Sequence, residues 1–333
     1  MKRLIAEFEK QSFTQIIFPH KDTDWAPYLS EAQKTFVNII NAITKYQKCL
    51  VVSYDVDAVA SRFAPNENLF FVPYVCDDTW ARDCSALSIE EDGETKLLDF
   101  TFTAWGGKFE SSRDNLMSQN LSQYYSAPMQ KCDFILEGGG VESNGAGLIL
   151  TTSECVLNAN RNATYKADEI DAKLREYFGA KEILILNSGY LSGDDTDSHI
   201  DTLARFVSRD TIMYVKCEDK TDEHYEALHL MERELFALAK KHSLKLIALP
   251  MADALYYEEE RLPATYANFL FANGAVIVPT YGGSQDSVAL AIFKETFSDL
   301  DIVSVDCSVL VRQHGSLHCV TMNFASEVLL AIS

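Results

Sequence analysis

The chain has 333 residues, of which 47% are apolar and 23% charged, the composition of a folded protein with a sizeable core. Its 29 basic residues against 49 acidic ones leave a formal charge of −20, which disfavours nucleic acid and anionic lipid as partners and suits a small cationic ligand. No stretch reads as a membrane span or a signal-peptide core, and the eight cysteines, none in a CxxC pair, read as reduced thiols of a cytoplasmic protein.

In chain order, Ile16–His20 reads as a short strand. A helix follows from Tyr28, because Leu29, Ala32, Phe36, Ile39, Ile40 and Ile43 recur at helical spacing. Cys49–Ser53 is a buried strand, residues 57–62 a small helix, and Asn68–Tyr74 a strand that delivers the chain to Asp77–Asp83. Phe134–Val141 reads as a strand running into three glycines, with Leu148–Thr152 as its hairpin partner. Asp168–Phe178 is a helix, and Ile183–Leu186 leads into an acidic loop at Asp194–Asp201. A long helix over 222–241, a strand at Lys245–Leu249 and a hairpin over 268–279 come next. A helix over 287–297 and a strand at Asp301–Val305 precede Cys319. The rhythm is strand, strand, helix, strand, several times over with no linker, so one α/β domain over residues 1–333 is expected.

Polar side chains gather where these strands end. Trp80 and Asp83 share one such place, Glu137 precedes three glycines in another, and Asp195, His199 and Asp201 share a third. His199 and Asp201, two apart, would face one side of a strand. Cys319 opens the last strand as a candidate nucleophile, because a thiolate attacks well and leaves again. Its neighbour His318 would point to the opposite face, so His199 is the expected proton-transfer partner. Asp194, Asp195 and Asp197 lack the glycine and the distant glutamate of an EF-hand loop, and no metal site is expected.

These segments together have a family likeness. Trp80-Ala81-Arg82-Asp83, Glu137-Gly138-Gly139, Asn158–Asn162, Gly193–Asp201, Ala267-Asn268-Phe269 and His318-Cys319 occur in the order found in agmatine deiminases. The chain therefore resembles that family and the similar bacterial peptidylarginine deiminases of the guanidino-group-modifying (pentein) superfamily. The resemblance implies a five-bladed α/β propeller of pseudo-repeated ββαβ units. It implies hydrolysis of agmatine to N-carbamoylputrescine and ammonia through an S-amidino intermediate on Cys319, with no cofactor.

By the same resemblance, Asp83 and Asp201 grip the guanidinium and His199 shuttles the proton. Trp80 and Asn268 contact the substrate, and Glu137 and Asp195 face its distal ammonium or the rim. A homo-oligomer is compatible with the sequence. Gln313–Ser316 replaces a more glycine-rich run of the family and brings His314 toward the site, and Ala163 stands where proline is usual. Two alternatives are a deiminase of free or peptidyl arginine and an idle polyamine-binding module.

Overall fold

Residues 11–17, 48–53 and 69–73 pack as three adjacent parallel strands, and the middle one, Lys48–Ser53, is buried over all but its first residue. A strand covered on both faces reads as a continuous apolar run, which is what Cys-Leu-Val-Val is. Helix Leu29–Ile43 crosses between the first two and turns Phe36, Ile39, Ile40 and Ile43 into the core. These residues belong to a computed structural model that describes residues 2–332 of the chain; Met1 and Ser333 lie outside the described residues.

The same construction recurs. Leu87–Glu91 pairs antiparallel with Glu94–Thr101, which takes Met129–Ile135 as a parallel neighbour after helix Asp114–Leu121. Glu142–Ser143 and Leu148–Thr152 repeat the antiparallel pair, and Glu182–Leu186 returns parallel after helix Ala167–Phe178. Ala204–Ser208 and Thr211–Lys216 do so again, with helix Tyr225–His242 and parallel Lys245–Pro250. Leu270–Ala272, Ala275–Thr280, helix Gln285–Thr296 and Asp301–Asp306 form the fourth set. The fifth joins the chain's two ends, because Thr321–Ala325 lies antiparallel to Gln11–Ile17. The fold is thus mixed α/β, with buried side chains in one continuous cluster. Among the described residues, no helix is long and apolar enough to cross a membrane.

Each returning parallel strand releases the chain toward one place. Leu69–Pro73 leads to Trp80 and Asp83, Met129–Ile135 to Glu137 and Gly139, and Glu182–Leu186 to Asp195, His199 and Asp201. Lys245–Pro250 leads, through a longer loop, to Asn268, and Asp301–Asp306 leads to His314 and Cys319.

Three local expectations need correcting. Leu148–Thr152 is not the hairpin partner of the strand before the glycines; it pairs with Glu142–Ser143, while Met129–Ile135 joins Glu94–Thr101. His199 and Asp201 do not share a strand, because Ile200–Thr202 is a 3-10 turn. Cys319 lies in a turn two residues before the strand Thr321–Ala325, not on it.

Candidate active site

Gly138–Gly140 form a 3-10 turn that lets three other segments approach the backbone. A Cβ added at Gly139 would stand 2.8 Å from His199 Nδ1, 2.9 Å from Asp83 Oδ1 and 3.0 Å from Asp201 Oδ2. Glycine is therefore required there by proximity, and the three groups surround a common point. Asp83 sits in the helical turn Ala81–Cys84, where its Oδ1 accepts from the Gly139 N–H at 2.9 Å and its Oδ2 from Trp105 Nε1 at 3.0 Å. Asp83 Oδ1 is 3.6 Å from His199 Nδ1, so this nitrogen and not Nε2 faces the shared space. Gly139→Ala is expected to lower turnover by at least about a hundredfold through displaced catalytic geometry. Its melting temperature should stay near wild type; full activity in the variant would show that these groups do not act together.

Cys319 reaches the same place from the last turn. Its Sγ lies 3.4 Å from Asn268 Oδ1 and 3.9 Å from Asp201 Oδ2, and its carbonyl accepts from the Arg82 N–H at 3.1 Å. Asn268 Oδ1 also accepts from the backbone N–H groups of His318 (2.8 Å) and Cys319 (3.3 Å), while its Nδ2 donates to Asp201 Oδ2 at 3.3 Å. Asn268 is thus the brace between thiol and carboxylate. His318 is held by two carboxylates: Nδ1 is 2.7 Å from Asp201 Oδ2 and Nε2 is 2.9 Å from Glu7. Glu7, which also pairs with Arg82 and Arg205, is a residue the sequence reading missed; no motif marks it.

Glu137 is placed otherwise than expected. It is fully buried behind His199, with Oε2 3.7 Å from Nε2 and 2.8 Å from Arg161 Nε, so it faces neither a distal ammonium nor the rim. The acidic loop is likewise occupied by its own neighbours. Asp194 accepts from Thr196 Oγ1 and the Ser198 N–H, and Asp197 pairs with Lys108 (2.8 Å) and Arg161 (2.6 Å). Those two carboxylates are engaged as a turn brace and not free to chelate.

A cleft opens outward from Cys319 and Asp83. Trp80, Trp105 and Phe109 give it aromatic walls, and Asp195, Asp78 and Asp24 add carboxylates to its lining. Trp80 is fixed by donation from Nε1 to Asp78 Oδ2 at 2.9 Å, and Gly315 leaves its ring room, since a Cβ there would fall 2.1 Å from Trp80 Cζ3. Trp105, Phe109, Asp24 and Asp78 were missed as site residues. Ala104 and Trp105 adopt φ of 48° and 56°, a strained conformation that clusters at functional sites. His314, also left-handed at φ 63°, lines the cleft and holds Nδ1 2.6 Å from the Gly193 carbonyl.

Burial dominates the electrostatics. It pushes the Cys319 thiol well above its usual range, and Asp201 and Asp83 add to the shift. It lifts Asp83 to about 6, with His199 opposing and Asp201 and Glu137 adding. It lifts Asp195 to about 6 and Asp78 to about 7. For His199, burial opposes the cation, but Asp83, Cys155 and Glu137 outweigh it and raise the imidazole well above its ordinary value. Asp201 is held low against burial by His318 and His199. The site therefore holds a protonated thiol beside an imidazolium and carboxylates, a charge arrangement that suits a cation.

The fold recurs in two solved structures of low sequence identity. A dimethylarginine dimethylaminohydrolase (TM-score 0.53, 12% identity) and a cyanobacterial arginine dihydrolase (TM-score 0.52, 10% identity) share it, covering 94% and 95% of this chain. By sequence, the chain belongs to the Porphyromonas-type peptidyl-arginine deiminase family, whose profile matches residues 3–324, and it is an enzyme of the hydrolytic deiminase type. A solved agmatine deiminase from C. jejuni with substrate bound is 42% identical, covering 99% of this chain and 97% of its own, with a TM-score of 0.94. The agmatine deiminase of Enterococcus faecalis is 28% identical, covering 98% and 96%, with a TM-score of 0.91. A Mycoplasma capricolum relative with a provisional agmatine deiminase name is 29% identical over 95% of this chain and 93% of its own length.

Proposed function

We propose that the protein is an agmatine deiminase, releasing ammonia and N-carbamoylputrescine from agmatine in the cytoplasm without a cofactor. In this reading residues 1–333 are one catalytic domain whose five ββαβ sets are arranged as a propeller around the cleft. The observation that carries the proposal is the convergence of Cys319, His199, Asp83 and Asp201, of which Cys319 and Asp83 line a cleft shared with the carboxylates of Asp24, Asp78 and Asp195.

A planar guanidinium is well held by two carboxylates, and Asp83 and Asp201 offer them from two sides. Bound between them, the cation offsets the charge that keeps Cys319 protonated. The thiol then loses its proton to solvent, where it ends on the released ammonia, and the thiolate attacks the central carbon. His199 Nδ1 donates its proton to one terminal nitrogen, the C–N bond breaks, and ammonia leaves an S-amidino-cysteine. Water attacks the same carbon and gives one proton to His199 Nδ1; as the carbonyl forms, the sulfur leaves as thiolate and takes up the water's second proton, which restores the thiol. Glu137 behind Nε2 stabilises the imidazolium, Asn268 positions the thiol, and the Trp80 and Trp105 rings flank the methylene chain.

A resting thiol of this kind reacts slowly. At pH 7 iodoacetamide is expected to label Cys319 sluggishly, and the rate should climb with pH because a raised thiol pKa leaves little thiolate below it. Asp83→Asn removes one negative neighbour, so alkylation should quicken while turnover falls. Fast labelling of the resting wild type would contradict the assignment. On the acid side, protonation of Asp83 below about pH 6 removes one arm of the cradle, so kcat/KM should fall there.

The deciding assay is ammonia release from agmatine, arginine and a blocked arginine peptide. Arginine carries a carboxylate where agmatine has only hydrogen. Among the described residues, no arginine or lysine lines the cleft to receive it, and His314 is the one basic side chain there. Arg82, Arg161, Arg205, Arg261 and Arg312 are paired with Glu7, Glu137, Glu142, Asp222 and Glu31, and Arg113 lies beside Asp77. A preference for agmatine of at least about a hundredfold in kcat/KM is expected, equivalent to about 2.7 kcal/mol. Asp195→Asn should erode it mainly through a raised KM for agmatine. Comparable efficiencies on agmatine and arginine would move the assignment to an arginine deiminase.

A further inference from the structure

On the side of His199 away from the cleft, Glu137, Cys155 and His199 bring a carboxylate oxygen, a sulfur and an imidazole nitrogen within 4.8 Å of one another. All three residues are buried, at 0%, 0% and 1% exposure. In this group of residues Glu137 Oε1 and His199 Nε2 are buried and have no hydrogen-bond partner. Buried polar atoms without partners are uncommon and call for a ligand or a physical reason.

We propose that this pocket is an inhibitory site for a thiophilic divalent ion of the Zn²⁺ type, bound by Cys155 Sγ, His199 Nε2 and Glu137 Oε1. Sulfur, imidazole and carboxylate are the donor set such an ion takes. Metal–ligand bonds of about 2.0–2.3 Å place tetrahedral donors roughly 3.3–3.7 Å apart, so closing the cluster needs movements of about 1 Å. His199 Nε2 and Glu137 Oε2 already stand 3.7 Å apart. Arg161 Nε donates to Oε2 at 2.8 Å, which orients the carboxylate and leaves Oε1 for the ion. Gly140 supplies the space: a Cβ there would lie 2.9 Å from Cys155 Sγ and 3.8 Å from His199 Nε2.

Binding exchanges the thiol proton of Cys155 and any proton on Nε2 for the metal, with no change of oxidation state. Its consequence rests on the proposed reaction. With Nε2 metallated, the imidazole keeps its proton at Nδ1 and cannot accept another from the attacking water, so deamination stalls. Cys319 takes no part, because its sulfur is engaged from the Asp201 and Asn268 side.

Co²⁺ titrated into chelator-treated wild type, Cys319→Ser and Cys155→Ser tests the site by optical absorption, with no turnover required. A thiolate-to-cobalt band saturating at one equivalent is expected in wild type and in Cys319→Ser, and its loss in Cys155→Ser; Glu137→Gln serves as a second variant should Cys155→Ser not fold. In the assay, the Zn²⁺ concentration that halves each enzyme's own metal-free rate should rise at least about tenfold in Cys155→Ser. A band that vanishes in Cys319→Ser and survives in Cys155→Ser would place the metal on the nucleophile and overturn the proposal, as would the absence of any band in wild type. A band that behaves as expected in an enzyme inactive on agmatine would leave the site standing and remove only the proposed reaction.

Discussion

Cys319→Ala is expected to lose ammonia release by about ten-thousandfold or more, the scale seen when a covalent nucleophile is removed. The loss should be this large because nothing beside it can take over. Asn268, Asp201 and His318 around the thiol offer no second nucleophile, and Cys155 stands behind the His199 ring. Cys49, Cys132 and Cys307 are buried in the core, so alanine at those positions should cost some stability and leave the rate largely intact. Rapid quenching of wild type during turnover should add the mass of agmatine less ammonia, an N-(4-aminobutyl)amidino group, to the peptide containing Cys319. Wild-type turnover by Cys319→Ala would end the covalent mechanism.

What could be read from the chain alone divides along physical lines. Helix Leu29–Ile43 and strand Lys48–Ser53 were legible because each carries a clean apolar pattern of the right period. The hairpin of Leu87–Glu91 with Glu94–Thr101 was passed over although Asp92-Gly93, at φ 54° and 84°, is the favoured two-residue turn. Its strands hold Glu90, Glu91, Glu94 and Lys96 near the turn, and these charges hide the alternation of Leu87 and Ile89. Helix Asp114–Leu121 was missed for a related reason, since only Met117 and Leu121 of its apolar residues are buried.

The site was legible in its members and less so in its depth. Asp83, His199, Asp201, Asn268 and Cys319 do converge, because each follows a returning strand. Glu137 was assigned to the substrate's distal ammonium or the rim through the family resemblance, which does not say which way the side chain turns. The turn at Gly138–Gly140 instead carries it inward, to Arg161, whose place in Asn158–Asn162 gave no hint of the pairing. Glu7 and Trp105 contribute by contacts across many residues of sequence, which no local pattern encodes.

The two histidines provide the other large contrast. His199→Asn is expected to lower kcat by about a thousandfold, within the range for removal of a general acid and base. Its Nδ1 faces the Asp83–Gly139–Asp201 space, and Asp83, Cys155 and Glu137 outweigh burial to hold it as the cation that protonates departing ammonia. Because its pKa is raised, the protonated form persists through neutral pH and is lost only as pH climbs past that raised value. Activity limited by this group should therefore decline on the alkaline side, and His199→Asn should lack that limb. His318→Asn should cost less in kcat and more in KM: its ring is committed to Asp201 at 2.7 Å and to Glu7 at 2.9 Å, so its removal loosens one arm of the guanidinium cradle. Its alkaline limb should remain. If His318→Asn instead proves the more damaging to kcat and erases that limb, the proton passes through His318, and the direction in which Cys319 presents its sulfur must be assigned anew.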